Sequence, residues 1–270
     1  MTMSHVIFEK RDGVAYVTLN RPEKRNAFSP EMIVRLVEVW ADIAEDPTVR
    51  VVLLTGAGTQ AFSSGGDLGT TIPLMMRTRQ PQGEWEERFA ADRKQLYAAI
   101  LRNASFFKPV VAAINGHALA GGAEMILSTD LRVMSEDATI GVTEVRRGLI
   151  AGGGSLVRLA RQVPWAQAME LALVGEPITA RQALAIGLVN RVVPAGDVLA
   201  TAEDLARRIS LGAPVALAKT KEAMVRSNGL SLEEAFAIET ECTKANAKTD
   251  DAKEGPRAFM EKRPPVFTGR

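Results

Sequence analysis

Alternating hydrophobic and polar positions at the start of the chain predict a β-hairpin. Residues 6–11 and 14–19 are two short runs rich in β-branched and aromatic residues, and Asp12-Gly13 lies between them. An Asp-Gly pair between two such runs is a strong signal for a tight turn. We therefore expect two antiparallel strands joined at this point.

Hydrophobic residues then recur at helical spacing. Ser29 has the side chain of a helix N-cap, and Pro30 suits the first helical position. The apolar face would consist of Ile33, Leu36, Val37, Trp40, Ile43 and Ala44. Spacing of three and four residues predicts an amphipathic helix that ends before Asp46-Pro47.

Four short apolar runs follow, at residues 49–55, 109–114, 131–134 and 138–142. They are too short for buried helices, so they predict strands covered on both faces. A helix that begins near Gly121 separates two of them. Strand–helix alternation of this kind favours parallel strands under helices, and the predicted fold class is α/β.

The pattern changes in the second half of the chain. Thr179 is expected to cap a short helix that Gly187 ends, and residues 188–193 predict one last strand. Beyond that strand the spacing predicts only helices, at about residues 197–211, 214–228, 231–248 and 251–263. We therefore divide the chain into a core of residues 1–195 and a helical region of residues 196–270.

Residues 69–103 form a long connection within the predicted core, with a helix expected from about Glu84. Long connections in compact domains are usually functional or mobile. We therefore expect this segment to contribute to a site or to move.

Composition narrows the possible functions. The chain has 270 residues, of which 46% are hydrophobic and 24% charged, the balance of an ordinary globular protein. Its 33 basic and 32 acidic residues leave a formal charge of +1, so no overall field attracts nucleic acid or a membrane surface. The first residues lack the pattern of a secretory signal, and no apolar run approaches a membrane span. We expect a cytoplasmic protein without nucleic-acid or membrane partners.

Cysteine and histidine are scarce. Cys242 is the single cysteine and lies in a strongly helical stretch, where a buried packing role is expected. One thiol cannot form an internal disulfide, and two histidines with one cysteine are a poor set of zinc ligands. We expect no metal site.

Two glycine-rich turns each follow a buried strand. The first is Ala61-Phe62-Ser63-Ser64-Gly65-Gly66-Asp67-Leu68, and the second is Asn115-Gly116-His117-Ala118-Leu119-Ala120-Gly121-Gly122-Ala123-Glu124. Glycines let a ligand approach the backbone, and two converging amides form an oxyanion hole. Neither turn has the lysine of a Walker loop or the spacing of a dinucleotide fingerprint. Each turn taken alone also fits an ordinary structural role.

Two glutamates stand beside these turns. Glu124 lies in the first turn of the helix after the second glycine turn, where the helix dipole would stabilise a carboxylate. Glu144 follows the strand at residues 138–142 and precedes Arg146 and Arg147, so a solvated ion pair is the simpler interpretation. Together with the glycine turns, however, two carboxyl groups at one water could divide the roles of acid and base.

Five segments, in order along nearly the whole chain, resemble the crotonase superfamily, specifically enoyl-CoA hydratases and isomerases. They are LNRPEKRNAFS, AFSSGGDL, NGHALAGGAE, IGVTEVRRGLIAGGG and DAKEGPRAFMEKRPPVF. The resemblance implies repeated ββα units in two roughly perpendicular sheets and a helical C-terminal region that assembles trimers, commonly paired into hexamers. It also implies an acyl-CoA thioester substrate, with no separate cofactor, and a place in fatty acid metabolism.

The resemblance implies roles for the site residues. In such hydratases two backbone amides bind the thioester oxygen, and the matching residues here are Gly66 and Gly121. Glu124 matches the residue that holds and activates water, and Glu144 matches the one that protonates the α-carbon. Gly152 matches a backbone contact to that water.

The resemblance also implies contacts to coenzyme A and the acyl group. Residues matching these contacts are Lys24, Arg25, Ala27, Ser64, Gly65, Asp67, Leu68, Gly122, Thr143, Phe259 and Lys262. Of these, Lys24 and Arg25 could offer charge to the phosphates. Phe259 and Lys262 match positions in the tail that often reach the coenzyme from a neighbouring subunit.

Three departures from the family pattern concern the site. Ala120 stands where many hydratases have glycine, which we expect to be tolerated, and Thr143 and Ala151 replace prolines. The last two changes are expected to alter the acyl pocket. Enoyl-CoA hydration is the expected activity. Isomerisation, decarboxylation, thioester hydrolysis and dehalogenation remain alternatives, and a nonenzymatic acyl-CoA- or RNA-binding protein is the alternative from another class.

Overall fold

A computed structural model describes residues 4–102 and 105–270. Two of the sequence predictions include residues outside this range. They are the first three residues, at the N-terminus that lacks a signal pattern, and Asn103, at the end of the long connection.

Within the described residues, ten strands form two sheets. In chain order they are β1 (Val6–Arg11), β2 (Val14–Leu19), β3 (Val51–Gly56), β4 (Ala61–Ser63), β5 (Val110–Ile114), β6 (His117–Leu119), β7 (Leu131–Ser135), β8 (Thr139–Gly141), β9 (Ile178–Thr179) and β10 (Arg191–Val193). The larger sheet has the order β1-β2-β3-β5-β7-β10, and the smaller has the order β4-β6-β8-β9. In the larger sheet only the β1–β2 pair is antiparallel.

Twelve α-helices accompany the strands in the part of the chain that the structure describes. They are α1 (Pro30–Glu45), α2 (Thr71–Met75), α3 (Glu84–Ala91), α4 (Gln95–Ala99), α5 (Gly121–Ile126), α6 (Ser155–Gln162), α7 (Trp165–Val174), α8 (Ala180–Ala185), α9 (Val198–Ser210), α10 (Pro214–Ser227), α11 (Leu232–Asn246) and α12 (Asp251–Met260). The predicted α/β class, with two sheets and a helical C-terminal region, is confirmed. In the described part of the chain, no helix is both long and apolar enough to span a bilayer.

The predictions that rest on local signals are confirmed. The hairpin has the expected bounds, and Asp12 and Gly13 both have positive φ, as a two-residue hairpin turn requires. The hydroxyl of Ser29 accepts a hydrogen bond from the amide of Met32, and Pro30 is the first residue of α1. Cys242 is a buried residue of α11, as expected.

Other bounds differ from the prediction. The last strand begins at Arg191 rather than at residue 188, because the chain turns after α8 and the amide of Leu188 donates to the carbonyl of Ala183. Strands β4, β6 and β9 and helices α2, α6 and α7 were not predicted. β4 and β9 contain three and two residues, too few to show any periodicity.

Both faces of the larger sheet are covered. Val52 and Leu54 of β3 face the core under α1, whereas Val51 and Leu53 pack with α9 on the other face. α9 therefore covers the larger sheet of the core. It does so although its residues belong to the predicted helical region, which begins at residue 196. The division into a core and a helical region remains a prediction.

The connection at residues 69–103 contains α2, α3 and α4, and α3 begins at Glu84 as predicted. α3 and α4 pack against α1. The indole N–H of Trp40 in α1 donates to the carbonyl of Ala99 at 2.8 Å. These contacts hold the connection against the side of the core.

Candidate active site

The first glycine turn leaves one amide free. Phe28 forms a parallel β-bridge with Gly66, in which its amide donates to the carbonyl of Gly65 at 2.8 Å and its carbonyl accepts from the amide of Asp67 at 3.1 Å. This bridge uses the groups on either side of Gly66. Within the described residues the amide of Gly66 itself has no protein acceptor.

The second glycine turn provides another free amide. α5 begins at Gly121, and the first amides of a helix have no acceptor within the helix. The preceding Ala120 has φ of +50°, a conformation that directs the chain from β6 into α5. For the part of the chain described, the amide of Gly121 has no protein acceptor either.

The two turns pack directly against each other. A Cβ atom added to Gly65 would lie 2.8 Å from the amide nitrogen of Gly121, and one added to Gly122 would lie 2.3 Å from the carbonyl oxygen of Ser63. Such distances require glycine at both positions. Two free amides on neighbouring turns are the components of an oxyanion hole.

Glu124 is held beside these turns by a third glycine-rich loop. Its side chain is buried, and its Oε1 accepts hydrogen bonds from the amide of Gly153 at 2.6 Å and the hydroxyl of Ser155 at 3.0 Å. Burial raises the pKa of Glu124, while the hydrogen bonds from Ser155 and Gly153 act in the opposite direction. The carboxylate is thus desolvated but supplied with donors.

Glu144 has a different environment. It begins a 3-10 turn after β8, and its Oε2 is buried without a hydrogen-bond partner among the described residues. Burial, and then the negative charge of nearby Glu124, raise the pKa of Glu144 to about 7. The site therefore contains two close carboxyl groups, one held by donors and one that retains a proton more readily.

A loop before α1 is joined to the first glycine turn. Arg25 and Asn26 both have positive φ, and the carbonyl of Arg25 accepts from the amide of Ser64 at 3.0 Å. The buried amide side chain of Asn26 donates to the carbonyls of Ala57 and Ala61. These bonds fix the backbone of Arg25, whose side chain is exposed, near the glycine turn.

A cavity of about 600 Å³ lies beside this junction, and its lining includes Arg25, Gln60, Ser64, His117 and Asp137. Its polar and cationic groups offer contacts to a ligand that extends away from the two free amides. Among residues 4–102 and 105–270, no cluster of acidic, histidine or cysteine side chains has the makings of a metal site.

The sequence model of a family described as "Enoyl-CoA hydratase/isomerase" matches residues 9–270 of this chain. The chain belongs to the enoyl-CoA hydratase/isomerase family. The resemblance of the five sequence segments is thereby confirmed.

Similar proteins align with this family member over nearly its full length. Enoyl-CoA hydratase EchA19 of Mycobacterium tuberculosis is 39% identical over 98% of this chain and 96% of its own length. (E)-Benzylidenesuccinyl-CoA hydratase of Thauera aromatica is 38% identical and covers 98% of this chain and 99% of its own. The crystal structure of enoyl-CoA hydratase from Bacillus anthracis, 32% identical, has a TM-score of 0.88 and covers 98% of this chain and 100% of that chain.

The structure of this enoyl-CoA hydratase/isomerase family member brings together most of the site residues predicted from its sequence. Gly66 and Gly121 lie on the two adjoining turns, and Glu124 lies in the first turn of α5. Glu144, in the 3-10 turn after β8, is close enough to Glu124 for the two charges to interact. Gly65 and Gly122 form the contact between the two turns. Thr143 is buried next to Glu144, and its carbonyl accepts from Arg147 at 3.1 Å.

Asp67 has structural partners. Its carboxylate pairs with Arg21 and accepts hydrogen bonds from the amides of Gly69 and Thr70. Burial would raise the pKa of Asp67, but the hydrogen bonds from Arg21 and Gly69 outweigh it and lower the pKa. Leu68, next along the chain, is 67% exposed. Asp67 therefore fixes the end of the first glycine turn.

The loop that holds Glu124 contains Gly152, whose contact to the reacting water remains a prediction. Gly152 is exposed, whereas the adjacent Gly153 donates to Glu124. A Cβ atom at Gly153 would lie 2.3 Å from Oε2 of Glu124. Sequence reasoning missed both Gly153 and Ser155, although three glycines before a serine at a helix start indicate a close backbone approach.

The predicted tail residues are not brought to the site within one chain. Phe259 is 82% exposed. The carbonyl of Phe267, near the end of the tail, accepts from Arg50 just before β3, whereas the first glycine turn follows the other end of β3. A six-residue strand spans about 20 Å. The structure thus separates the tail from the glycine turns of the same chain.

Proposed function

We propose that this protein is an enoyl-CoA hydratase, which reversibly adds water across the 2,3 double bond of an enoyl-CoA thioester. The observation that carries the proposal is a pair of neighbouring carboxyl groups with different surroundings. Glu124 is buried and accepts from Gly153 and Ser155, whereas Oε2 of Glu144 is buried without a partner among the described residues. The two carboxyl groups lie next to two free amides on adjoining turns. Hydration needs one proton taken from water and one given to carbon, which is what such a pair supplies.

The chemistry begins at the thioester oxygen. The amides of Gly66 and Gly121 donate hydrogen bonds to this oxygen and stabilise the negative charge that develops on it. Loss of one such donor typically lowers the rate by about a hundred- to a thousand-fold. With electron density drawn toward the oxygen, the β-carbon becomes electrophilic and open to attack by water.

Proton transfer completes the addition. Glu124, ionised, accepts a proton from water as the water oxygen bonds to the β-carbon. Glu144, protonated, gives its proton to the α-carbon. Each addition leaves Glu124 protonated and Glu144 ionised, and proton exchange restores the starting state. These steps use only the chain, the thioester and water.

The coenzyme portion is proposed to bind at the junction beside the first glycine turn. Lys24 and Arg25 are exposed there and offer charge to phosphates. Ala27, Ser64, Gly65, Asp67 and Leu68 supply the adjoining surface. We assign Phe259 and Lys262 to the coenzyme site of a neighbouring subunit, since the structure keeps the tail away from its own glycine turns.

Isomerisation of a double bond is the second candidate function. It needs only a group that removes a proton at one carbon and returns it at another. Glu144, with an unpaired buried oxygen and a pKa near 7, suits such a shuttle. We favour hydration because Glu124 is independently fixed by Gly153 and Ser155, an arrangement that a single proton shuttle does not require.

The decisive test is hydration of crotonyl-CoA, followed by loss of its ultraviolet absorbance. We expect Glu124→Gln and Glu144→Gln each to lower kcat by about a hundred- to ten-thousand-fold, because glutamine keeps the shape but cannot carry the proton. Substrate binding should change little. The double variant should fall only slightly further, since the two groups act as a unit.

Glu45→Gln, at the exposed end of α1, is the matched control and should leave the rate unchanged. Full hydration by Glu124→Gln would contradict its role as base. If that variant lost hydration but still moved a double bond, isomerase would be the correct function. Binding of crotonyl-CoA by the unaltered protein without turnover would favour a nonenzymatic acyl-CoA-binding protein.

A further inference from the structure

The hydrogen bonds to the Glu124 side chain from the third glycine loop and the start of α6 all fall on the same carboxylate oxygen. The amide of Gly153 and the hydroxyl of Ser155 donate to Oε1 at 2.6 and 3.0 Å, and the amide of Ser155 lies at 3.5 Å from it. No described residue donates a hydrogen bond to Oε2. The two oxygens of Glu124 are therefore inequivalent, and Oε2 keeps its capacity to accept a proton.

Ser155 is placed to maintain this difference. It is the first residue of α6 and is fully buried, so its hydroxyl meets Glu124 without competition from solvent. α6 is itself anchored, because the guanidinium of Arg158 donates to the carbonyls of Leu101 and Arg102. The hydroxyl thus approaches Glu124 from a fixed position.

We propose that Ser155 is a positioning residue that holds Glu124 ionised, with Oε2 as its basic oxygen. The proposal rests on the hydratase function proposed above. It explains why Glu124 acts as the base and Glu144 as the acid. A hydroxyl that donates to a carboxylate stabilises its charged form. Ser155 therefore places the negative charge on Glu124 and leaves the proton on Glu144.

Other charged groups also face Glu124. Arg102, after α4, and Arg158, in α6, are both close enough to interact with its charge, and Glu144 faces it with a like charge when ionised. The arginines support the ionised form from outside hydrogen-bond range, while burial and Glu144 oppose it. The hydroxyl of Ser155 is the side-chain donor that contacts the carboxylate directly.

The central experiment compares Ser155→Ala with Ser155→Thr. Removing the hydroxyl should lower kcat for crotonyl-CoA by about tenfold, the effect of losing one hydrogen bond to a charged group, with KM within about twofold. The pKa of Glu124 should rise, so the acidic limb of the kcat profile should move to higher pH. Ser155→Thr keeps the hydroxyl, so it should retain most of kcat and the original position of the acidic limb.

Thr129→Val is the control, because it removes another buried hydroxyl outside the site and should change neither kcat nor the pH profile. An unshifted acidic limb in Ser155→Ala would overturn the proposal, even with a lower kcat, because a merely structural defect scales the rate at all pH values. A folded Ser155→Thr variant whose acidic limb lies at the higher pH of Ser155→Ala would also count against the proposal.

A carboxyl titration separates this proposal from the function on which it rests. Carbon-13 NMR of glutamate-labelled protein, with Glu124→Gln used for assignment, follows Glu124 without any substrate. A higher pKa of Glu124 in Ser155→Ala supports the positioning role even if the unaltered protein hydrates no enoyl-CoA. An unchanged titration would overturn it even if hydration is confirmed.

Discussion

Glu144 has a pKa raised to about 7, because its Oε2 is buried without a partner among the described residues and faces a second carboxyl group. Glu124 is also buried, but Gly153 and Ser155 donate to it. The same residue type thus acquires two proton affinities from two surroundings, which is how one site supplies an acid and a base.

The pH dependence of hydration follows from this difference. A raised pKa means that Glu144 is protonated, and able to donate, below its pKa of about 7, and loses that ability as the pH rises through it. We expect kcat/KM for crotonyl-CoA to fall about tenfold per pH unit above that value. The profile should be measured with Glu144→Gln in parallel, in which the basic limb should vanish. A flat profile through the alkaline range would contradict protonated Glu144 as the acid.

Ala120 is strained, because φ of +50° is unfavourable for a residue with a Cβ atom. We expect Ala120→Gly to raise the free energy of unfolding by about 1 kcal/mol. Relief of the strain stabilises the folded protein, and the greater entropy of glycine in the unfolded chain offsets part of that gain. Ala123→Gly, at an ordinary helical position of α5, is the control and should lower the free energy of unfolding. Denaturant unfolding at equal protein concentrations would show both effects. A less stable Ala120→Gly variant would refute the strain.

Among the elements, the connection at residues 69–103 is anchored on the site at both ends. The Cδ1 atom of Ile72, in α2, would lie 2.7 Å from a Cβ atom at Gly66, and that of Ile100, after α4, would lie 2.4 Å from one at Gly153. An apolar side chain thus stands beside one oxyanion amide and another beside the loop that holds Glu124. Because the connection also follows the first glycine turn along the chain, we predict that it forms one wall of the acyl pocket, and these contacts support that prediction.

Changing this connection should alter the choice of acyl chain more than the affinity for coenzyme A. We expect Ile72→Ala to shift the ratio of kcat/KM between long and short enoyl-CoA thioesters by about tenfold, since a few methylene groups of space are worth that much. Inhibition by free coenzyme A should be nearly unchanged. Met76→Ala, an exposed position in the same connection, is the control. Unaltered selectivity with weaker coenzyme binding would contradict the assignment.

Across the whole molecule, large apolar side chains are exposed on helices in the second half of the chain. They include Trp165 and Leu173 of α7, Met224 of α10, Phe236 of α11 and Phe259 of α12, each more than half exposed. Exposed apolar surface of this extent is typical of association sites. It supports the expected assembly of the chain with copies of itself.

We predict a trimer or a hexamer of the 29.1 kDa chain in solution. The reason is that the apolar surface needs a partner and the tail lies away from its own glycine turns. Light scattering of the purified protein measures the mass directly. A monodisperse monomer would refute the assembly, and with it any role for Lys262 in a neighbouring site.

Complementation tests the shared site more sharply. Co-expressed Glu124→Gln and Lys262→Ala chains should recover activity at low crotonyl-CoA concentration above that of either variant alone. In a mixed oligomer, a core with intact Glu124 can receive an intact tail from its neighbour. If each site used its own tail, no complete site could form and no activity would return.

Local causes were enough to predict much of the fold. The Asp12-Gly13 turn, the Ser29-Pro30 helix start and the buried strands each follow from a few adjacent residues, so they could be inferred without the structure. The order of the glycine motifs and the two glutamates was likewise sufficient to indicate the family. Short strands such as β4 and β9 leave no such pattern, because pairing with distant segments is what forms them.

The contacts that give the site its chemistry join residues far apart in the sequence. Gly65 meets Gly121, and Ser155 meets Glu124, only after the sheets have formed. The proton affinity of Glu144 depends on how deeply the surrounding segments bury it and on the charge that they place beside it. Desolvation and hydrogen-bond geometry are properties of the assembled fold, and this is why only the tertiary structure decided which carboxyl group is held by donors and which has a buried oxygen without a partner among the described residues.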